Sequence, residues 1–216
     1  PNALIITFDD GYEDNVEVAY PVLVDLKVRA VMFLATGMIG AAEGTLYWWD
    51  RMFSYLQHQD QWFVKGGHPE FEREVSELLE EFTASPPKLF SRLDRAESRS
   101  IVKFLDGIRS AYRIPGEIMG SENSIVGWDQ VRSMMEGVEF GSHSRNHVNL
   151  ARLPGYDLAE EVSGSREAIE ANTGREVLAF AYPGGNYGEE AKKAVAEAGY
   201  EYAVTTEAGT NDLRDK

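Results

Sequence analysis

The sequence predicts an α/β fold on a parallel sheet, interrupted by a long helical segment. Short apolar runs alternate with amphipathic stretches at both ends of the chain, the βαβ rhythm of a parallel sheet. Between residues 41 and 125 that rhythm gives way to helical periodicity. The chemically distinctive residues follow directly on apolar runs, at the carboxyl ends of the predicted strands, where parallel α/β folds bind ligands.

The elements follow in order. Ala3–Phe8 reads as a buried strand, ended by Asp9-Asp10-Gly11. Asp14–Val28 reads as a helix with Val16, Tyr20, Leu23, Val24 and Leu26 at helical spacing, and Pro21 marks a start or kink. Ala30–Ala35 is a second buried strand. In the interrupting segment, Leu46–Leu56 is aromatic-rich, and Pro69–Phe82 and Arg95–Tyr112 are amphipathic helices. Gln61–Val64 has the pattern of a short strand, and Pro86-Pro87 and Pro115-Gly116 punctuate. The first rhythm resumes at Val126. Helices are expected over Trp128–Glu136, Asp157–Asn172 and Glu189–Ala198, and strands over Val138–Gly141, Val177–Tyr182 and Tyr202–Thr206. Residues 1–216 thus read as a single domain, with residues 41–125 a mostly helical insertion within it.

Composition narrows the function. The chain has 216 residues and is 43% hydrophobic, enough for a sizeable core. A net charge of −15 argues against nucleic acid, whose binding needs a basic surface, and disfavours an anionic membrane. There is no cysteine, so disulfides, thiolate metal sites and a cysteine nucleophile are excluded. No stretch approaches the roughly 20 apolar residues of a membrane span, and no signal peptide is visible. The chain opens at Pro1 and enters a strand at once, the pattern expected of an excised or processed fragment.

Two adjacent carboxylates, Asp9 and Asp10, are costly at a strand end unless something offsets their repulsion. A bound cation does so, one carboxylate serving as ligand and its neighbour as general base. Helix capping is the competing reading. His143 and His147, two of the four histidines, are four apart, the spacing that places two imidazoles on one face of a helical turn. A pair of surface or core histidines is the alternative. One carboxylate and two imidazoles make a three-ligand site for one divalent metal, zinc first, with cobalt, nickel or iron also compatible. Tyr182-Pro183-Gly184-Gly185 after a predicted strand can present backbone N–H groups to an oxyanion, or be an ordinary loop. Trp48, with Tyr47 and Trp49, can line a sugar groove or pack in a core, and Asp50 reads as a helix cap or substrate contact. Arg145 and Asn149 are substrate contacts or solvated residues, and Asn146 is a candidate for orienting a histidine.

Thr-Phe-Asp-Asp-Gly at 7–11, His-Ser-x-x-His at 143–147 and the Pro-Gly strand end at 183–184 resemble, in this order, the polysaccharide deacetylase (NodB-homology, chitin deacetylase-like) family. The resemblance spans Ala3 to Tyr202. It implies a distorted parallel (β/α) barrel and a metal-dependent hydrolase that removes acetyl groups from an N- or O-acetylated carbohydrate. It further implies metal ligation by Asp10, His143 and His147, attack by a metal-held water with Asp9 as general base, and an oxyanion held by the Gly184 N–H. Tyr182 and Pro183 become candidate substrate contacts beside it, with Trp48.

The chain departs from that pattern in three places. Ala181 stands where the family usually has an arginine. The later Asp-x-x-Asp-Trp motif is not found, nor is a Leu-x-His motif after Tyr202, so the general acid is unassigned, and His58 and His68 are weak substitutes. About five strands are visible where such a barrel has seven or eight. Two expectations stay open: the chain is truncated on its C-terminal side, which fits both gaps, or the acid comes from elsewhere. Two other functions stay open: hydrolysis of a non-sugar amide on the same scaffold, and a non-catalytic carbohydrate-binding domain.

Overall fold

The computed structural model describes residues 4–41, 46–93, 98–116 and 123–209. Five parallel strands form one sheet in chain order: β1 (Ile6–Phe8), β2 (Ala30–Leu34), β3 (Val138–Ser142), β4 (Ala179–Ala181) and β5 (Tyr202–Val204). Strand order that follows chain order means that each crossover steps the same way, the winding of a barrel rather than of a doubly wound sheet. The sheet curls into a half-barrel of the distorted (β/α) type, with β1 and β5 as its edges.

The register aligns the strand ends. Phe8 pairs with Met32, Leu34 with Ser142 and Ser142 with Phe180, so the segments after β1, β3 and β4 emerge on one rim. Beneath it, Met32, Leu34, Val138 and Phe180 pack against Leu158, Val162 and Ile169 of α7 (Gly155–Thr173) and Val195 of α8 (Glu189–Glu197). α7 stops at Gly174, which takes the left-handed conformation (φ 67°) that glycine adopts without penalty.

The chain after β1 makes one π-helical turn (Asn15–Ala19) and continues as α1 (Tyr20–Leu26). Pro21 lies in the first turn of α1, where its missing N–H is not needed. The face against the core is Val16, Tyr20 and Leu23; Val24 and Leu26 are exposed, contrary to expectation, because a helix of two turns on a sheet edge presents a single stripe. Leu4 and Ile5, expected within the buried strand, precede β1, which starts at Ile6, and are exposed. Ala3, the first residue of the expected strand, lies outside the described residues.

Between β2 and β3 lie α2 (Trp48–Gln57), α3 (Pro69–Ala84), α4 (Pro86–Leu93), α5 (Ser98–Tyr112) and α6 (Trp128–Ser133). Helices α2 to α5 share an apolar core of their own, with Tyr55, Val75, Leu89 and Leu105 each about 1% exposed. Full burial contributes roughly 1.5–3 kcal/mol per large side chain, so this cluster sustains four helices with few contacts to the sheet. One expectation fails here. Gln61–Val64 is no strand: Gln59–Gln61 is a short 3₁₀ turn, and Trp62 is drawn under α2 by donating its Nε1–H to the Tyr55 carbonyl at 2.8 Å. Pro86 and Pro87 punctuate as expected: α3 stops at Ala84 and the two prolines open α4, where first-turn prolines lose no hydrogen bond. Arg95, where the third helical pattern was expected to begin, is outside the described residues, and α5 is described from Ser98.

Candidate metal centre

Asp9 and Asp10 follow β1 on the rim. Asp10 and Gly11 both have positive φ, 71° and 81°, so the chain reverses at once and turns the Asp10 side chain inward. Gly11 N–H donates to the Asp9 carbonyl and Val126 N–H to the Gly11 carbonyl, both at 2.9 Å. Asp9 stays exposed, and among the described residues no lysine or arginine lies within ion-pair distance of it.

The histidines converge by a route that their spacing did not indicate. Residues 143–147 form an irregular loop after β3, not a helical turn. Ser144 (φ 60°) and His147 (φ 48°) take left-handed conformations, which fold His147 back over His143, ring centroids 4.7 Å apart at 74°. Such conformations cost about 1–2 kcal/mol per non-glycine residue and need support. Glu161 of α7, 6% exposed, supplies it: its carboxylate accepts from the N–H of Arg145 (3.0 Å), the N–H of Asn146 (2.8 Å) and Asn146 Nδ2 (2.7 Å). From the other side, Gly37 N–H donates to the Arg145 carbonyl at 2.6 Å, and a Cβ at Gly37 would lie 2.8 Å from that oxygen and 2.6 Å from Asn146 Oδ1.

One atom each of Asp10, His143 and His147 lies within 4.8 Å of the others. Asp10 Oδ1 is 3.2 Å from His147 Nε2 and 3.7 Å from His143 Nε2. His143 Nδ1 sits 2.8 Å from the Ala181 carbonyl, which can only accept, so Nδ1 carries the proton and Nε2 turns its lone pair to the centre. Burial lowers the basicity of His143; burial and then His143 itself push His147 down to about 3, so both rings are neutral, the form that binds metal. Burial, then Asp9, then Asp50 push the Asp10 carboxyl up to about 7. Asp10 Oδ1 is buried without a hydrogen-bond partner. An orphaned carboxylate oxygen facing the Nε2 atoms of two neutral imidazoles fits a divalent cation.

A second network lies behind Asp10. Tyr47 Oη donates to the Asp10 carbonyl (2.7 Å), Trp49 Nε1 to Tyr12 Oη (2.8 Å), and Tyr12 Oη to Asp50 Oδ2 (2.9 Å). Burial raises the Tyr12 and Tyr47 phenols well above their usual range, and burial pushes Asp50 up to about 6 against the lowering hydrogen bond from Tyr12. Trp49 and Tyr47 place their rings edge-to-face with His147, at 4.7 and 5.6 Å.

Two cavities adjoin these residues. One of about 440 Å³ is lined by Asp9, Thr7, Ala181, Tyr182, Thr206 and Glu207. The other, about 390 Å³, lies against His147, Asn146, Tyr47, Trp48, Lys103 and Asp106. Trp48 borders the second, but it is 6% exposed and stacks on Phe90 (5.8 Å, 9°), so its faces are committed to packing. Pro183 and Tyr182 are buried at the end of β4, and Tyr182 N–H donates to Val204. Gly184 has φ 59°; Gly185 N–H bonds the Tyr182 carbonyl and Asn186 N–H the Pro183 carbonyl, two bonds in which the Gly184 N–H takes no part.

Other expectations are corrected. Asn146 bonds Glu161 rather than a histidine, and Asn149 Oδ1 accepts from Ala151 N–H, capping a short turn. Arg145 pairs with Glu160. His58 bonds the Ser54 carbonyl, and His68 lies against Glu70 and the Tyr112 ring, so both are held within the helical segment. Glu161 and Tyr12 went unnoticed in the sequence. The signal for Glu161 was there: a charge in register with Leu158, Val162, Ser165 and Ile169 on the apolar face of α7.

The polysaccharide deacetylase family profile matches residues 1–203. The chain belongs to the polysaccharide deacetylase family. Bacillus subtilis YxkH, named for polysaccharide deacetylase, is 25% identical over 103 residues, 48% of this chain and 37% of its own length. Among solved structures, the Streptococcus pyogenes deacetylase PplD in complex with acetate superposes with a TM-score of 0.56 at 18% identity, covering 95% of this chain and 56% of that one. IcaB from Ammonifex degensii gives 0.57 at 16% identity, covering 96% and 62%. At such identities the superpositions establish the shared barrel fold. The chain spans less than two thirds of the length of these relatives. The carboxylate–histidine–histidine group thus sits in a fold and family of deacetylases.

Proposed function

We propose that the chain is the metal-binding, catalytic part of a hydrolase that removes acetyl groups from an N- or O-acetylated carbohydrate. The observation that carries this is the orphaned Asp10 oxygen facing two oriented imidazoles, with the cation-free carboxylate of Asp9 next in sequence. Asp10, His143 and His147 hold one divalent cation, zinc first, with cobalt, nickel or iron as alternatives. Such a cation supplies Lewis acidity toward the acyl oxygen and lowers the pKa of water.

The remaining work falls to the chain's own groups. Asp9, exposed in the larger cavity, accepts the proton of the attacking water as its oxygen bonds the acetyl carbon. The Gly184 N–H donates to the oxyanion of the tetrahedral intermediate. Collapse breaks the bond from carbon to nitrogen or oxygen and releases acetate, and a proton passes to the leaving group. Tyr182 lines the wall beside Asp9, with Pro183 next after it in the chain, and Trp48 borders the second cavity together with His147. Both rings are neutral, and His143, held through Nδ1–H by the Ala181 carbonyl, turns its Nε2 lone pair toward the cation.

The test is acetate release from acetylated chito-oligosaccharides and O-acetylated sugars with Zn²⁺ supplied, for the wild type and Asp9→Asn. A loss of about 10²–10⁴-fold in Asp9→Asn with metal content unchanged is expected. Full activity in Asp9→Asn would exclude its role as base.

A further inference from the structure

The turn that presents Asp9 and Asp10 is held by helix α2, a segment far from it in sequence. A left-handed non-glycine residue such as Asp10 persists only where its surroundings over-determine it. Here the Tyr47 hydroxyl fixes the Asp10 carbonyl, and Tyr12, two residues on, is fixed at one atom from both sides. Its Oη accepts from Trp49 and donates to Asp50. The direction of the chain of bonds is set by Trp49, since an indole N–H can only donate.

Asp50 is the terminus of that chain and has an unusual position. It is 9% exposed, and among the described residues no lysine or arginine lies within ion-pair distance of it. The adjacent Arg51 turns away to Asp106, at 2.6 Å. A buried carboxylate without a cation is costly. As a first-turn residue of α2 it gains from the helix dipole, but that is worth only about 0.3–1 kcal/mol at a surface site. It follows Trp49, whose ring packs edge-to-face on His147 at 4.7 Å, so its charge lies beside the metal centre.

We propose that Asp50 is a positioning residue of the metal centre: through Tyr12 it fixes the Asp9–Gly11 turn, and its buried charge favours a divalent cation at Asp10, His143 and His147. This rests on the metal-site reading above. The helical segment is then part of the site's architecture rather than a cover laid over it, since three of its side chains, Tyr47, Trp49 and Asp50, reach the turn.

The test measures Zn²⁺ affinity by competition with a chromogenic chelator, beside the unfolding midpoint of the metal-free protein. Asp50→Asn keeps an acceptor for Tyr12 but removes the charge. Its Zn²⁺ affinity is expected to fall about tenfold or more, while the metal-free midpoint stays level or rises because a buried unpaired charge is gone. Tyr12→Phe, which carries the same test if Asp50→Asn does not fold, should also weaken Zn²⁺ by about tenfold. The double variant should lose less than the sum of the two, because both act in one network. The Co²⁺ absorption spectrum of each variant should shift from that of the wild type, a change that a remote helix cap would not produce. If Asp50→Asn lowers the midpoint but binds Zn²⁺ as the wild type does, Asp50 is only a cap and the inference is overturned. If the wild type itself takes up no Zn²⁺, the metal-site reading falls and takes this inference with it. The two failures are therefore distinguishable.

Discussion

Replacing Glu161 with alanine should uncouple the histidine loop from the barrel. The Glu161 carboxylate receives three donors at 2.7–3.0 Å, two of them main-chain N–H groups of the loop that ends in His147. Hydrogen bonds to a charged acceptor are worth roughly 1.5–3 kcal/mol each. Arg145 and Asn146 are exposed, so water replaces part of that, and the net loss of stability should be about 2–4 kcal/mol. Part of this loss appears in the loop, where Ser144 and His147 revert from left-handed conformations and His147 leaves Asp10. Removal of groups that orient metal ligands typically costs 10–100-fold in affinity, and that is the expected fall for Zn²⁺. Glu161→Gln keeps one oxygen for the two N–H groups and should fall well short of that. Chelator competition gives the affinities and thermal unfolding of the metal-free protein gives the stability. Wild-type Zn²⁺ affinity in folded Glu161→Ala would refute the argument that Glu161 sets the loop.

Three other outcomes follow from the geometry. Zn²⁺ affinity should rise about tenfold per pH unit up to pH 7 and flatten above it. The reason is that Asp10, raised to about 7 from its ordinary 3.8, holds a proton in the metal-free protein below that value, and the cation must displace it; isothermal titration between pH 5.5 and 8.5 checks this. Gly37→Ala places a Cβ 2.8 Å from the Arg145 carbonyl and should destabilise by about 1–3 kcal/mol while weakening the metal, read by denaturant unfolding and metal titration. Trp48→Ala should cost about 3–5 kcal/mol in the same unfolding assay, because the ring stacks on Phe90 in the helical core.

The parallel sheet and its rim were legible because buried strands and their polar ends leave a local signal. Phe8-Asp9, Ser142-His143 and Tyr182-Pro183 fall where apolar runs stop, each within a residue of the observed strand end, and the register brings those ends together. What local pattern does not encode was misread. Leu4, Ile5, Val24 and Leu26 are as apolar as core residues, yet the first two precede β1 and the others lie on the outer side of a short helix, with nothing to pack on. The histidine spacing fits a helical turn, and only tertiary support from Glu161 and Gly37 lets the loop adopt left-handed backbone instead. The helical segment was expected from its periodicity, but the hydrogen bonds that Tyr47 donates to Asp10, Trp49 donates to Tyr12 and Asp50 accepts from Tyr12 join positions nearly forty residues apart. No window of sequence displays such a contact.

The most direct test of the central claim is elemental analysis of the protein purified without chelators, beside a His143→Ala/His147→Ala variant. About one equivalent of divalent metal in the wild type, absent from the variant, is the predicted result. No metal in the wild type, even after incubation with Zn²⁺, Co²⁺ and Ni²⁺, would contradict the account and leave Asp10, His143 and His147 as a buried polar cluster without a cation.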